Sequence, residues 1–229
     1  KTREAGTRPQ HLGDDRKTGP EKEILVDTSQ AHLIYALGWL SFGAVHSVLA
    51  GPGAKHRLNA LFGDYYRLSY NLFAVLHIGA VWVFGQRTLD ATPFALEPGI
   101  ETALTAIRGL GVLVLILALR EYDLGLFSGL KQIRAGKQGA ATNGDEDGVE
   151  PLATDGLHRF VRHPLYLGVI MILWGGAVSD FRLATAVWGS LYLFIGARHE
   201  ERSLSALYGE AYADYKRRVP AVIPWKGKV

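Results

Sequence analysis

The chain has 229 residues, 48% of them apolar and 21% charged, with 25 basic against 22 acidic side chains and a formal net charge of +3. The absence of cysteine excludes disulfides, thiolate metal sites and a cysteine nucleophile, and it leaves the redox compartment open. A single domain is the expectation for this length, and the basic excess forms no basic-aromatic patch of the kind that binds nucleic acid.

In chain order, Lys1 to Gln30 mixes Gly, Pro and charges without an apolar period, so it reads as a flexible polar tail without the apolar core of a signal peptide. Apolar residues then collect into five blocks: His32–Ala50, Leu68–Gly85, Ala103–Leu119, Leu165–Val178 and Leu183–Ala197. The mean hydropathy of +0.07 averages these blocks with very polar connections. Several blocks are shorter than the roughly 20 residues that a span needs, and any one alone would suit the buried helix of a soluble bundle. Five together, with Trp and Tyr near several ends, point to a single all-α integral membrane domain over residues 31–229. It has about five transmembrane helices, the last two forming a tight hairpin.

Orientation follows from the basic residues. Lys55, Arg57 and Arg67 lie between the first two blocks, Lys131, Arg134, Lys137, Arg159 and Arg162 between the third and fourth, and Lys216, Arg217, Arg218, Lys226 and Lys228 after the fifth. The positive-inside rule puts these segments in the cytoplasm, next to anionic lipid, and the N-terminus outside. Residues 128–154 contain the Gly-rich, acidic run GKQGAATNGDEDGVEP and read as a mobile loop. From Glu201 to Lys216, Leu204, Tyr208, Tyr212 and Tyr215 recur at helical spacing. They predict one amphipathic helix, lying on the membrane surface or also covering a cofactor cavity.

The strongly polar residues of the blocks share one depth. His46 and Ser47 lie near the inner end of the first block, Arg67, Tyr70 and Asn71 at the start of the second, and Glu121, Tyr122 and Asp123 at the end of the third. Arg162, His163 and Tyr166 open the fourth, while Arg198, Glu200 and Glu201 close the fifth. Charges at membrane depth need partners, so their convergence predicts an enclosed polar cavity. Glu200 and Glu201 are about 100° apart on a helix, so one of them is expected to face solvent or Arg198. His77 is mid-membrane, away from this layer, and reads as a packing residue.

The run RHPLYLG over 162–168, followed by HEERSLSALYGEAYADYKRRVPAVIP over 199–224, resembles the C-terminal signature of the isoprenylcysteine carboxyl methyltransferase and phospholipid methyltransferase superfamily. The elements His46-Ser47-Val48-Leu49-Ala50, Tyr66-Arg67-Leu68-Ser69-Tyr70-Asn71 and Phe127-Ser128-Gly129-Leu130-Lys131-Gln132 resemble NnrU-related membrane proteins, and especially methanethiol S-methyltransferases. His158 stands where relatives often carry Tyr.

The resemblance implies a membrane enzyme, embedded in the lipid bilayer, that moves a methyl group from S-adenosylmethionine to a small or lipophilic thiol. Arg162, His163 and Tyr166 would then frame the amino-acid end of the cofactor, with Glu200 or Glu201 on its ammonium. On the acceptor side, His46 would act as a weak base and Arg67 as a nearby cation, with Tyr70 and Asn71 lining the pocket. Other readings stay open. Zeta-carotene isomerases share the His-Ser and Arg-His-Pro elements and hold heme, for which His46 and His163 would be the iron ligands. An isoprenylcysteine or lipid methyltransferase and a non-catalytic membrane scaffold subunit are the remaining alternatives.

Overall fold

The computed structural model describes residues 27–122, 125, 128, 130–137 and 152–225. The expected flexible tail over 1–30 and mobile loop over 128–154 lie largely outside that set, as does Asp123, but among their described residues 28–30 and Leu130–Lys137 are helical. The elements are α1 (Thr28–Ala50), α2 (Pro52–Phe62), α3 (Tyr66–Thr88), α4 (Pro98–Leu119), α5 (Leu130–Lys137), α6 (Pro164–Gly175), α7 (Asp180–Tyr208) and α8 (Glu210–Arg218). Single 3-10 turns lie at Gly63–Tyr65 and Gly156–Arg159, and no strand occurs among the described residues.

Local chemistry sets the helix ends. Pro52, Pro98 and Pro164 open α2, α4 and α6, where the missing amide hydrogen loses no helical bond and the fixed φ suits the first turn. Ser179 caps α7 by accepting from the Arg182 amide at 3.3 Å, which makes the 179–182 turn as tight as its sequence implies. The single amphipathic helix expected from Glu201 to Lys216 is two helices. α7 runs on to Tyr208, and Gly209, at φ +54°, turns the chain into α8.

Three helical stretches, α1, the one ending with α3, and α4, are long and apolar enough to cross a membrane. Leu33, Val48, Val75 and Leu76 on α1 and α3 are 60–67% exposed, an outward apolar surface that suits lipid. This is an all-helical integral membrane protein. The count of five spans is not reproduced. α6 has 12 residues, about 18 Å at 1.5 Å per residue against the roughly 30 Å of a bilayer core. α7 has 29 residues, but its apolar stretch ends at Ala197 and charges follow from Arg198.

At the end of the bundle where α7 starts, Tyr35 is fully buried against Val81, Leu89 and Phe181. Thr185 Oγ1 gives its one proton to the Phe181 carbonyl at 2.7 Å, so Tyr35 must donate to Thr185, at 2.8 Å. The loop after α3 is tied to the hairpin turn by Phe181 N on the Asp90 carbonyl, 3.0 Å, and Phe94 N on the Val178 carbonyl, 2.7 Å.

α6 packs mainly on α4, and glycines set how close the two come. A Cβ on Gly168 would lie 2.9 Å from the Leu115 amide nitrogen, and one on Gly175 would lie 2.5 Å from that of Arg108. Small residues let backbones approach in this way where lipid gives helices no hydrophobic reason to associate. Gly175→Ala should therefore destabilise the protein by about 1–3 kcal/mol, whereas Gly99→Ala, on the open start of α4, meets no neighbour. Melting temperatures of the two variants in detergent check this, and equal values would remove the close-packing account.

Candidate functional site

Arg162 and His163 immediately precede α6. Their amides donate to the Pro220 and Ala221 carbonyls, each at 2.9 Å, so the C-terminal segment is strapped across the entrance to the helix. Val161, Pro164, Val219 and Val222 bury this strap in apolar surroundings. The Arg162 guanidinium is enclosed within it. Nε donates to Glu201 Oε1 at 2.8 Å and Nη2 to the same oxygen, while Nη1 reaches the carbonyls of Val219 and, at 3.3 Å, Lys216. Lys216 Nζ holds the other oxygen, Glu201 Oε2, at 2.8 Å. The Arg162 and Glu201 side chains are only 7% and 10% exposed.

His163 stacks on Tyr166, with ring centroids 5.2 Å apart and an angle of 10°. Its Nδ1 is 3.4 Å from Glu200 Oε2, to which the Tyr166 hydroxyl also donates, at 3.0 Å. Nε2, buried 3.4 Å from Glu201 Oε1, has no hydrogen-bond partner. Glu201 is thus the enclosed member of the carboxylate pair. Glu200 is half exposed, yet it is held by Tyr166 and His163, where solvent or Arg198 had been expected. The structure brings all five residues of the expected cofactor group together.

The expected acceptor group divides. The Tyr70 hydroxyl stands before both ring nitrogens of His46, 2.7 Å from Nε2 and 3.1 Å from Nδ1. Tyr66 donates to the Leu49 carbonyl at 2.5 Å, tying the end of α1 to the start of α3. Asn71 turns to the Ser128 carbonyl, 3.4 Å away, and Arg67 is exposed in the first turn of α3. His77 bonds Ser41 at 3.1 Å and packs edge-on to Phe42 and Phe73.

Three features have no separate sequence signal. Lys216 stands in a basic run with Arg217 and Arg218, and only the fold selects it for Glu201 while its neighbours pair with Asp214. Glu121 accepts from the Leu157 amide at 3.0 Å and pairs with His158 Nδ1 at 2.9 Å, and Tyr215 donates to the His158 carbonyl at 2.6 Å. This joins the end of α4 to α8. Burial pushes the Tyr212 phenol up to about 12 and raises that of Tyr215, so both stay neutral at physiological pH. Tyr192, two helical turns before Glu200 on α7, packs on Phe42 at 5.0 Å and on His46 at 6.0 Å.

Removing one partner of a buried ion pair strands the other. Glu201→Gln should destabilise the protein by about 3 kcal/mol or more. Lys216→Gln should cost under about 1 kcal/mol, since its side chain is 48% exposed. Comparable, small losses in thermal melts of the two variants would show that the enclosed pair does not hold this end together.

The chain is 32% identical over 214 residues to methanethiol S-methyltransferase 1 of Bradyrhizobium diazoefficiens, covering 88% of this chain and 70% of that protein. It is 29% identical over 191 residues to a methanethiol S-methyltransferase of Mycobacterium tuberculosis, covering 80% and 74%. A shorter similarity, 33% identity over 79 residues, links it to the protein-S-isoprenylcysteine O-methyltransferase of Schizosaccharomyces pombe, over 32% of this chain and 33% of that protein. No family model matches the chain, and no solved structure does. With its membrane-length helices and a likeness that runs along most of its length, the chain belongs to the methanethiol S-methyltransferase family, within the isoprenylcysteine carboxyl methyltransferase-like superfamily of membrane methyltransferases.

Proposed function

We propose that this methyltransferase uses S-adenosylmethionine to methylate a small thiol of the methanethiol type, at the cytoplasmic end of the bundle. The observation that carries the donor assignment is the buried, unbonded Nε2 of His163, on a ring whose Nδ1 lies against Glu200 and whose Nε2 lies against Glu201. The residues present fit the amino-acid end of the donor: Glu200 would take the ammonium, while His163 Nε2 would give a hydrogen bond to the carboxylate, both charge-assisted. Tyr166 orients Glu200 from the other side. In this reading Arg162 and Glu201, saturated by each other, Lys216 and main-chain carbonyls, build the wall on which Glu200 and His163 stand. When bound, the donor supplies a methyl on a positively charged sulfur, and the acceptor's sulfur takes that methyl as the old bond breaks and leaves a neutral thioether.

A match over 88% of the chain has to take in α1 and α3, whereas the isoprenylcysteine relative shares only about a third of it. This supports a thiol-type acceptor side built from the N-terminal helices. A thiol of pKa near 8.5 is a few per cent thiolate at neutral pH, so a weak base is enough. The His46 ring, held by the Tyr70 hydroxyl, takes the thiol proton, and Arg67 supplies positive charge at the same end. Asn71, fixed on the Ser128 carbonyl, completes the wall.

Donor and acceptor then use different walls, and their variants should separate. His163→Ala and Glu200→Gln should weaken binding of both S-adenosylmethionine and its demethylated product by about tenfold or more. His46→Ala and Arg67→Ala should lower methyl transfer to methanethiol and leave donor affinity within about threefold, under ~0.7 kcal/mol. Calorimetric binding with a methyl-transfer assay checks both. Undiminished donor binding in the first pair would remove the site, and parallel losses in the second would make those residues structural.

A further inference from the structure

The helical stretch that ends with α3 is longer than a membrane crossing requires. From Gly53 to Thr88 it has 36 residues, about 54 Å if straight against the roughly 30 Å of a bilayer core. α3 alone, with 23 residues, covers about 35 Å. Gly63, at φ +51°, breaks the stretch between α2 and α3. Because Tyr66 ties the last turn of α1 to the first turn of α3, α2 is confined to this one end of the bundle, at the depth of the lipid headgroups. Its residues suit that depth. Ala54, Leu58 and Leu61 share one face at helical spacing. The first two are half-buried, whereas Leu61 and the following Phe62 are 76% and 43% exposed. Arg57 borders the same face, three residues after Ala54 and four before Leu61. Lys55 and Arg57 are exposed, α2 carries no acidic residue, and neither cation is in an ion pair among the described residues. Beside them an open groove of about 560 Å³ is lined by Val48, Gly51, Gly53, Ala54, Arg57 and Leu58. Its lining side chains are apolar except for the one guanidinium.

We propose that this groove is a binding site for an anionic phospholipid, with the phosphate on Arg57 and an acyl chain along Val48, Leu58 and Leu61. A guanidinium meets phosphate oxygens through two parallel, charge-assisted hydrogen bonds. The apolar lining takes a chain that a free anion lacks, and an interfacial helix gains its hold on a membrane from such a face together with its cations. Two cations without an acid on α2 select an anionic headgroup over a zwitterionic one. Each cation near the membrane surface adds about fivefold, ~1 kcal/mol. The inference needs only the membrane helices and stands apart from the methyl-transfer reading. It places a lipid site at the end of α1 that carries His46.

The cysteine-free chain lets a single fluorophore report on the groove. Leu61→Cys, labelled with bimane in the intact protein in nanodiscs, should be quenched by phosphatidylglycerol with brominated acyl chains at a mole fraction about fivefold or more below that needed for the brominated phosphatidylcholine. Arg57→Gln in the labelled protein should reduce this preference by about fivefold with the melting temperature retained. Equal quenching by the two lipids, or an undiminished preference in Arg57→Gln, would overturn the proposal. Quenching by neither lipid would show that α2 does not lie in the membrane and would overturn it as well. Inorganic phosphate at millimolar concentration should leave the quenching unchanged, and displacement of the lipid by it would mark a general anion site instead. Because the label replaces Leu61, native mass spectrometry of the unlabelled protein supplies an independent measurement. It should retain a phosphatidylglycerol in preference to phosphatidylcholine, and Arg57→Gln should not; equal retention of both lipids by the unmutated protein would overturn the proposal.

Discussion

The Arg162–Glu201 ion pair is the constraint on which this end of the molecule depends. Two opposite charges, both almost fully enclosed, sit where the chain leaves the apolar layer, and neither is stable there without the other. Their remaining hydrogen-bonding capacity is met by Lys216 and by main-chain carbonyls of the C-terminal segment. The pair thereby fixes four pieces of chain to one another: the entry to α6, the end of α7, the last turn of α8 and the segment after it. Because His163 follows Arg162 and Glu200 precedes Glu201, fixing the ion pair also fixes these two neighbours, which lie against each other. The neutral, buried phenols of Tyr212 and Tyr215 and the apolar side chain of Val219 close the back of this arrangement.

α7 links that constraint to the other end of the bundle. Its first turns pack Phe181 and Thr185 against Tyr35, its middle places Tyr192 among the aromatic rings of α1, and its last turns carry the carboxylates. One rigid helix therefore sets the distance between the groups assigned to donor and acceptor. α6 is too short to take part in the same way as a full span. It is positioned by glycine contacts with α4, and its first turn delivers Tyr166 to Glu200.

The candidate site divides between the N-terminal helices, which carry His46 and Tyr70, and the C-terminal hairpin, which carries the carboxylates. The ion-paired hairpin and its carboxylates belong to one contiguous stretch, and an isoprenylcysteine methyltransferase shares about a third of the chain. The imidazole and phenol of His46 and Tyr70 come from helices that the methanethiol S-methyltransferases also match.

Much of this was legible in the residues themselves. Five apolar blocks marked five helices, because burying apolar side chains in lipid or protein needs long runs of them. The polar residues clustered at the block ends marked the ion-paired cluster of the hairpin, because charge near a membrane needs partners. Sequence also delivered the whole group Arg162, His163, Tyr166, Glu200 and Glu201. It did not distinguish the member of the carboxylate pair that is enclosed, since neighbouring helical positions differ only by a rotation that packing decides. Nor did it single out Lys216 from Arg217 and Arg218, the break at Gly209, or the close-packed glycines of α6. A pattern read along one chain reports which residues are apolar, charged or small, and with what period; the partner each one meets depends on how segments far apart in sequence are brought together, and that was decided by the tertiary structure.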